Sequence, residues 1–132
     1  MPVDLAIILD DWPFDEKEEA NNIRKIVGMD GQLKLQLRLR DGVIQWALEG
    51  RPDGSRPYGY ESVLAYARFL VAGHGGGSDE SPFRLGQNLL DELEEELVDY
   101  SRRLAALLRI GDYEHARRDS THALDVLATV RQ

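Results

Sequence analysis

The chain has 132 residues, no cysteine and a formal net charge of −8 at pH 7. That length suits one domain of ordinary size, and the lack of cysteine excludes disulfides, thiolate metal sites and cysteine nucleophiles. The acidic balance disfavours nucleic acid and anionic membranes as partners, so we expect a protein of the reducing cytoplasm.

The first apolar run, residues 3–9, is too short to span a membrane and has neither the basic flank nor the cleavage site of a signal peptide. We predict a strand or a short buried segment there, which ends before Pro13 because proline breaks a strand ladder. Trp12 and Phe14 follow within an acidic stretch, and we expect both rings to fill the core. The carboxylates around them match no ordered calcium-binding loop, so we predict no metal site.

Strict alternation of leucine with polar residues over 32–40 predicts a strand with one buried and one solvated face. An Asp41-Gly42 turn joins this strand to a second apolar run, 43–49, as an antiparallel hairpin. Residues 23–28 add a further strand. The sequence therefore predicts an antiparallel meander of three or four strands.

The face opposite the leucines carries polar and basic side chains, as an RNA-binding sheet would. The partner strand offers no aromatic residue on that face to stack a base. We therefore predict an outer face that is solvated, or covered by an acidic helix such as 89–99. The side chains concerned are Lys34, Gln36, Arg38 and Arg40.

Residues 50–60 form a long loop rich in turn-forming residues. Two guanidinium groups on a glycine-containing turn can bind a phosphate or a carboxylate. The alternative is that these arginines pair with neighbouring acids and hold the shape of the loop. The candidate ligand-binding residues are Arg51, Arg56, Tyr58 and Tyr60.

A helix is predicted from Glu61 or Ser62 to Ala72, and its apolar stripe would cover the sheet. A glycine-rich stretch then has the composition of a flexible linker. The predicted organisation is a sheet-and-helix unit over 1–72, a linker over 73–82 and a helical hairpin over 83–132.

The hairpin is predicted from a heptad-like seam on one helix and small residues at matching spacing on the next, with a Gly111-Asp112 turn between them. The first seam is longer than its small-residue partner can cover. Surplus apolar length favours a contact with another protein or with a second copy of the chain. The predicted interaction residues are Leu90, Leu93, Leu97, Tyr100 and Leu104.

His115, Asp119 and His122 share one side of the last helix. The two histidines lie about 10 Å apart along the axis, too far to bind one metal ion together. We predict a solvated helix face without a metal. On the preceding helix, Asp99 and Arg103 are predicted to form a surface ion pair.

The hairpin over about 97–130 resembles a single tetratricopeptide repeat, through Gly111-Asp112-Tyr113 at the turn and the alanines that follow, Ala116 and Ala123. It is also similar to the UVR motif of nucleotide-excision-repair proteins, through Asp112-Tyr113-Glu114. Both families use such hairpins to contact other proteins, which is what the resemblance implies. Residues 21–66 resemble a region of uncharacterised bacterial proteins, and this likeness implies no activity.

No nucleophile elbow, nucleotide-binding glycine motif or opposed pair of carboxylates is legible in the sequence, so we predict no catalytic residue and no cofactor. An active site assembled from scattered residues is left open. The sequence favours an α+β protein that serves as a non-catalytic interaction or adaptor module through its hairpin. The alternative is a small-ligand or anion-binding domain that uses the 50–60 loop.

Overall fold

Three antiparallel strands follow one another along the chain and form a sheet of order β1-β2-β3 in a computed structural model that describes residues 2–74 and 85–131. Short 3-10 turns precede the sheet and follow it. The predicted α+β class, with a three-stranded antiparallel sheet and a terminal helix pair, is confirmed. The elements are α1 (Ala6–Leu9), β1 (Ile23–Val27), β2 (Leu33–Leu39), β3 (Gly42–Ala47), α2 (Val63–His74), α3 (Gln87–Arg109) and α4 (Tyr113–Val130).

The leucine face of the sheet packs against the turn end of the α3–α4 pair. Leu35 lies opposite Trp46 in the ladder, and both side chains are buried. On the helices, the same hydrophobic cluster contains Ala106, Leu107 and Ala116. The prediction that α2 covers the sheet was therefore wrong, because an apolar stripe shows that a helix face is buried but not which element buries it.

Helix α2 packs instead on the far end of the helix pair. Its Val63, Leu64 and Ala67 form a second cluster with Leu93 of α3 and Val126 of α4. The loop that leads out of β3 carries the chain away from the sheet and sets α2 beside these helices. Both clusters thus join elements from either side of the predicted 73–82 linker, of which residues 75–82 lie outside the described part of the chain.

The outer face of the sheet is partly covered by the N-terminal segment, not by an acidic helix. The Arg24 guanidinium lies 4.0 Å from the centre of the Trp12 ring. Arg38 is buried and donates a hydrogen bond of 2.6 Å to the backbone oxygen of Trp12. Phe14 lies beside Arg40. Trp12 and Phe14 therefore cover polar side chains of the outer face, and the prediction that they fill the core was wrong.

The apolar run 3–9 forms a helical turn, contrary to the predicted strand. The Asp4 carboxylate accepts a hydrogen bond of 2.9 Å from the backbone N–H of Ala6, which favours a helical start. Ile7 and Ile8 on this turn are exposed, so the run is not a buried segment.

The turn between α3 and α4 is fastened to the sheet. Gly111 adopts the left-handed conformation that ends α3, and Asp112 caps α4 through the N–H of His115. The Asp112 carboxylate also lies 2.5 Å from the Lys25 ammonium on β1. Burial alone would raise the pKa of Asp112, but the hydrogen bonds from Lys25 and His115 outweigh it and lower the pKa to about 2.

This cap predicts a defined loss of stability in acid. Because the pKa of Asp112 is lowered on folding, its contribution is present above about pH 4 and is lost as the pH falls towards about 2. In urea unfolding across this window, the wild-type chain should therefore lose more unfolding free energy than Asp112→Asn. The exposed Asp11→Asn serves as control and should follow the wild type; equal pH slopes for all three chains would contradict the assignment.

Two leucines on the same face of β2 differ in burial, and this predicts different effects of truncating them. Leu35→Ala should lower the unfolding free energy by about 2–5 kcal/mol, because the side chain is fully buried. Leu33→Ala should cost less than about 1 kcal/mol, since that side chain is 47 % exposed. Urea denaturation measures both, and similar losses would show that Leu33 is buried as deeply as Leu35.

Candidate functional site: a polar groove beside α4

A buried carboxylate on α3 holds the start of α2. Glu96 is fully buried, and its oxygens accept the backbone N–H groups of Val63 and Leu64 at 2.8 and 3.2 Å. The first N–H groups of a helix have no partner within the helix, and they favour negative charge. His122 Nε2 on α4 lies 2.9 Å from the same carboxylate. Glu96 therefore ties three helices together at one point.

Arg51 brings the 50–60 loop to this carboxylate. Its Nε lies 3.4 Å from Glu96 and its Nη2 3.4 Å from Asp53, and only 12 % of the side chain is exposed. The Arg51 Nε makes no hydrogen bond within the described chain. Burial raises the pKa of the nearby Asp99, and the negative charge of Asp53 raises it further.

A second buried ion pair joins α3 to α4. Arg103 and Asp119 are both fully buried and form two hydrogen bonds of 2.7 Å. A third hydrogen bond, from Arg103 Nη1, reaches the backbone oxygen of Ala47 at the end of β3. The predicted surface pair of Arg103 with Asp99 was therefore wrong, because the guanidinium turns inward to the carboxylate on the facing helix.

The predicted solvated face of α4 was also wrong. Asp119 is buried, and the His122 side chain is only 18 % exposed, against Glu96. His115 lies 2.9 Å from Glu49 on the segment that follows β3. A signal was present in the sequence, because both helices carry three polar residues at spacing i, i+4 and i+7. These residues are Glu96, Tyr100 and Arg103 on α3, and His115, Asp119 and His122 on α4.

A groove of about 390 Å³ opens between α4 and the segment 49–62. Tyr100 lines it with 5 % of its surface exposed, and its ring contacts His122, at 3.8 Å, and the Arg103 guanidinium, at 5.0 Å. Burial and the charge of Glu96 raise the pKa of Tyr100 to about 12, so its hydroxyl stays protonated. The groove is lined by Glu49, Gly50, Glu61, Ser62, Tyr100, Arg118, Thr121, His122 and Asp125.

The four loop residues predicted to bind an anion do not converge on one pocket. Arg56 and Arg51 line a smaller hollow of about 220 Å³, where Arg56 donates to the backbone oxygen of Gly59. Tyr58 instead donates to Glu92 on α3, and its ring stacks on the α2 side chain Tyr66 at 4.2 Å. Tyr60 also packs beside the Tyr66 ring, at 5.4 Å. Both tyrosines therefore fasten the loop to helices.

The predicted interaction seam is largely occupied within the chain. Leu93 and Tyr100 are buried, and Leu90, Leu97 and Leu104 are half-buried against the two clusters. Helix α2 and the sheet cover the part of this seam that the short side chains of α4 do not cover. The leucines of this seam therefore leave little apolar surface for a partner.

An apolar hollow of about 360 Å³ lies between α2 and the last turns of α4. Its neighbours on the groove side are Arg68 and Asp125, which form an ion pair of 3.3 Å between the two helices. Val71 is 41 % exposed at the hollow, so apolar surface remains open to solvent. The lining residues are Ala67, Arg68, Val71, Ala72, Ala128 and Thr129.

Within residues 2–74 and 85–131, no group of three or more histidine, aspartate or glutamate side chains is arranged to hold a metal ion. No helix in the same part of the chain is long and apolar enough to cross a bilayer. Comparison with protein families, curated proteins and solved structures gave no significant match. The likeness of the hairpin to tetratricopeptide and UVR hairpins stays a prediction.

The buried ion pair predicts very different effects for two adjacent arginines of α3. Arg103→Ala should lower the unfolding free energy by about 3–5 kcal/mol, because it leaves the Asp119 carboxylate buried without its cation. Arg102→Ala, at an exposed position, should change it by less than about 0.5 kcal/mol. Chemical denaturation measures both, and equal effects would mean that Arg103 is not the buried partner.

Proposed function

We propose that the protein is a non-catalytic module that binds a segment of another protein through its C-terminal hairpin. The observation that carries this proposal is one continuous face of α4 that lines both the polar groove and the apolar hollow. We call this surface the α4 groove. Its α4 residues are Arg118, Thr121, His122, Asp125, Ala128 and Thr129.

The α4 groove has a shape and chemistry suited to a peptide segment. Its α4 wall runs for about 16 Å, since each helical residue rises 1.5 Å. The N-terminal half is polar and the C-terminal half is apolar, and the Arg68–Asp125 pair lies between them. A segment with one polar and one apolar side chain about 10 Å apart would fill both halves. An extended chain spans that distance in three residues.

Binding of an anion at the 50–60 loop receives less support from the same geometry. Arg51 already faces the carboxylates of Asp53 and Glu96. Tyr58 and Tyr60 are engaged with helices and do not reach the hollow that Arg56 lines. Arg51 pairs with Asp53 and Glu96, and Arg56 bonds within the loop to Gly59, which supports the alternative that these arginines hold the shape of the loop.

Site-specific photocrosslinking tests the proposed module in its native host. A benzoylphenylalanine residue in place of Ala128 lies in the apolar half and should link the chain to a discrete polypeptide. Val71→Arg should abolish that product, because it places a charge where the partner's apolar side chain would pack. The same probe at Leu124, exposed on α4 but outside the α4 groove, is the matched control. The proposal fails if both probe positions give the same products, or if Val71→Arg has no effect.

A further inference from the structure

We propose that the polar half of the α4 groove binds the guanidinium or ammonium group of a basic side chain in the partner segment. This inference rests on the proposed function and assigns the chemistry of that same surface. The lining charges, the Tyr100 hydroxyl and the net charge of the whole chain support it.

The charged groups of the polar half favour a cation. Three carboxylates and one arginine line it, together with His122, whose Nε2 faces the buried Glu96. The arginine, Arg118, is already held by Glu49 and by the buried Asp119. An incoming anion would therefore meet excess negative charge. The lining carboxylates belong to Glu49, Glu61 and Asp125.

Two of these carboxylates remain open to a ligand. Glu61 is exposed and makes no hydrogen bond or ion pair with any residue that the structure describes. Asp125 meets only the exposed Arg68, at 3.3 Å, across the rim of the groove. A guanidinium group with its five N–H donors, or an ammonium group with three, could satisfy both carboxylates.

Tyr100 is the independent observation that points to a ligand. The side chain is 95 % buried, since 5 % of its surface is exposed, and it lines the groove. The ring contacts His122 at 3.8 Å and the Arg103 guanidinium at 5.0 Å, and neither contact uses its hydroxyl. This hydroxyl makes no hydrogen bond with any residue in the described ranges, and it is not among the fully enclosed polar atoms. The hydroxyl is therefore accessible and able to accept a hydrogen bond from the N–H of a basic side chain.

The volume of the groove and the net charge of the chain are both consistent with a basic side chain as the ligand. A volume of about 390 Å³ lies at the lower end of the range for small-molecule sites, which suits one long side chain. A net charge of −8 attracts cationic segments and speeds their encounter.

The test uses the full chain and two small probes of nearly the same shape, one cationic and one neutral. N-acetyl-argininamide presents an arginine side chain as a peptide does, and N-acetyl-citrullinamide has the same shape without the charge. In ¹⁵N-edited NMR titrations, the arginine probe should shift the amides of residues 61–62 and 121–125 with a Kd in the millimolar range, about −4 kcal/mol. The citrulline probe should shift them at least about tenfold more weakly.

Substitutions then assign the binding to named groups. Glu61→Gln and Asp125→Asn should each raise the Kd of the arginine probe about fivefold to tenfold. Tyr100→Phe should raise it about threefold while the melting temperature holds, because the hydroxyl has no partner within the described chain. Glu114→Gln, an exposed acid on α4 outside the groove, is the matched control and should leave the Kd unchanged.

Three results would overturn the inference: equal shifts with the citrulline probe, a Kd unaffected by Glu61→Gln and Asp125→Asn, or much tighter binding of free spermidine than of the arginine probe. The last would identify a small polyamine in place of a peptide side chain. If the arginine probe fails while crosslinking at Ala128 still depends on Val71, the proposed function stands and only this inference is wrong. If the arginine probe binds and crosslinking fails, the groove binds basic groups as inferred here, but the proposed function as a protein-binding module is wrong.

Discussion

The buried carboxylate of Glu96 is the constraint on which the arrangement of the helices depends. A lone charge in a protein interior is unfavourable by several kcal/mol, so it persists only where hydrogen-bond donors surround it. Here the donors come from different elements: two backbone N–H groups at the start of α2 and the imidazole of His122 on α4, with the Arg51 guanidinium nearby. Satisfying Glu96 therefore fixes where α2 begins relative to the helix pair. This placement forms the apolar half of the α4 groove and sets Glu61 and Ser62, just before α2, along the polar half.

Much of the secondary structure could be predicted from local patterns. The alternating leucines of β2 identified a sheet with one buried face, and Gly111 with Asp112 identified the turn between α3 and α4. These features depend on neighbours in sequence, such as the pleat of a strand or a cap at a helix end. The partners of the buried faces could not be predicted in the same way. The apolar stripe on α2 could pack equally well on a sheet or on a helix pair. The long loop before α2 places it against the helix pair.

The groove was harder to foresee than the fold. Polar residues at spacing i, i+4 and i+7 on two consecutive helices look like solvated faces when each helix is considered alone. They become a buried network only when the helices pair in a register that sets Arg103 against Asp119. The contacts of Tyr58 with α2 and α3 likewise depend on where the loop returns to the helices. Sequence spacing therefore placed His115, Asp119 and His122 on one side of α4, and tertiary packing decided that this side is covered.

The hydrogen bond from Arg103 to the end of β3 also bears on self-association. An edge strand with open backbone groups is a template for pairing with another chain, and β3 is an edge strand. At Ala47 the N–H donates to the carbonyl of Pro52 and the carbonyl accepts from Arg103. Neither group is free to extend the ladder, so the C-terminal end of β3 resists addition of a foreign strand. The ion pair that orders the helices thus also protects the sheet against β-aggregation.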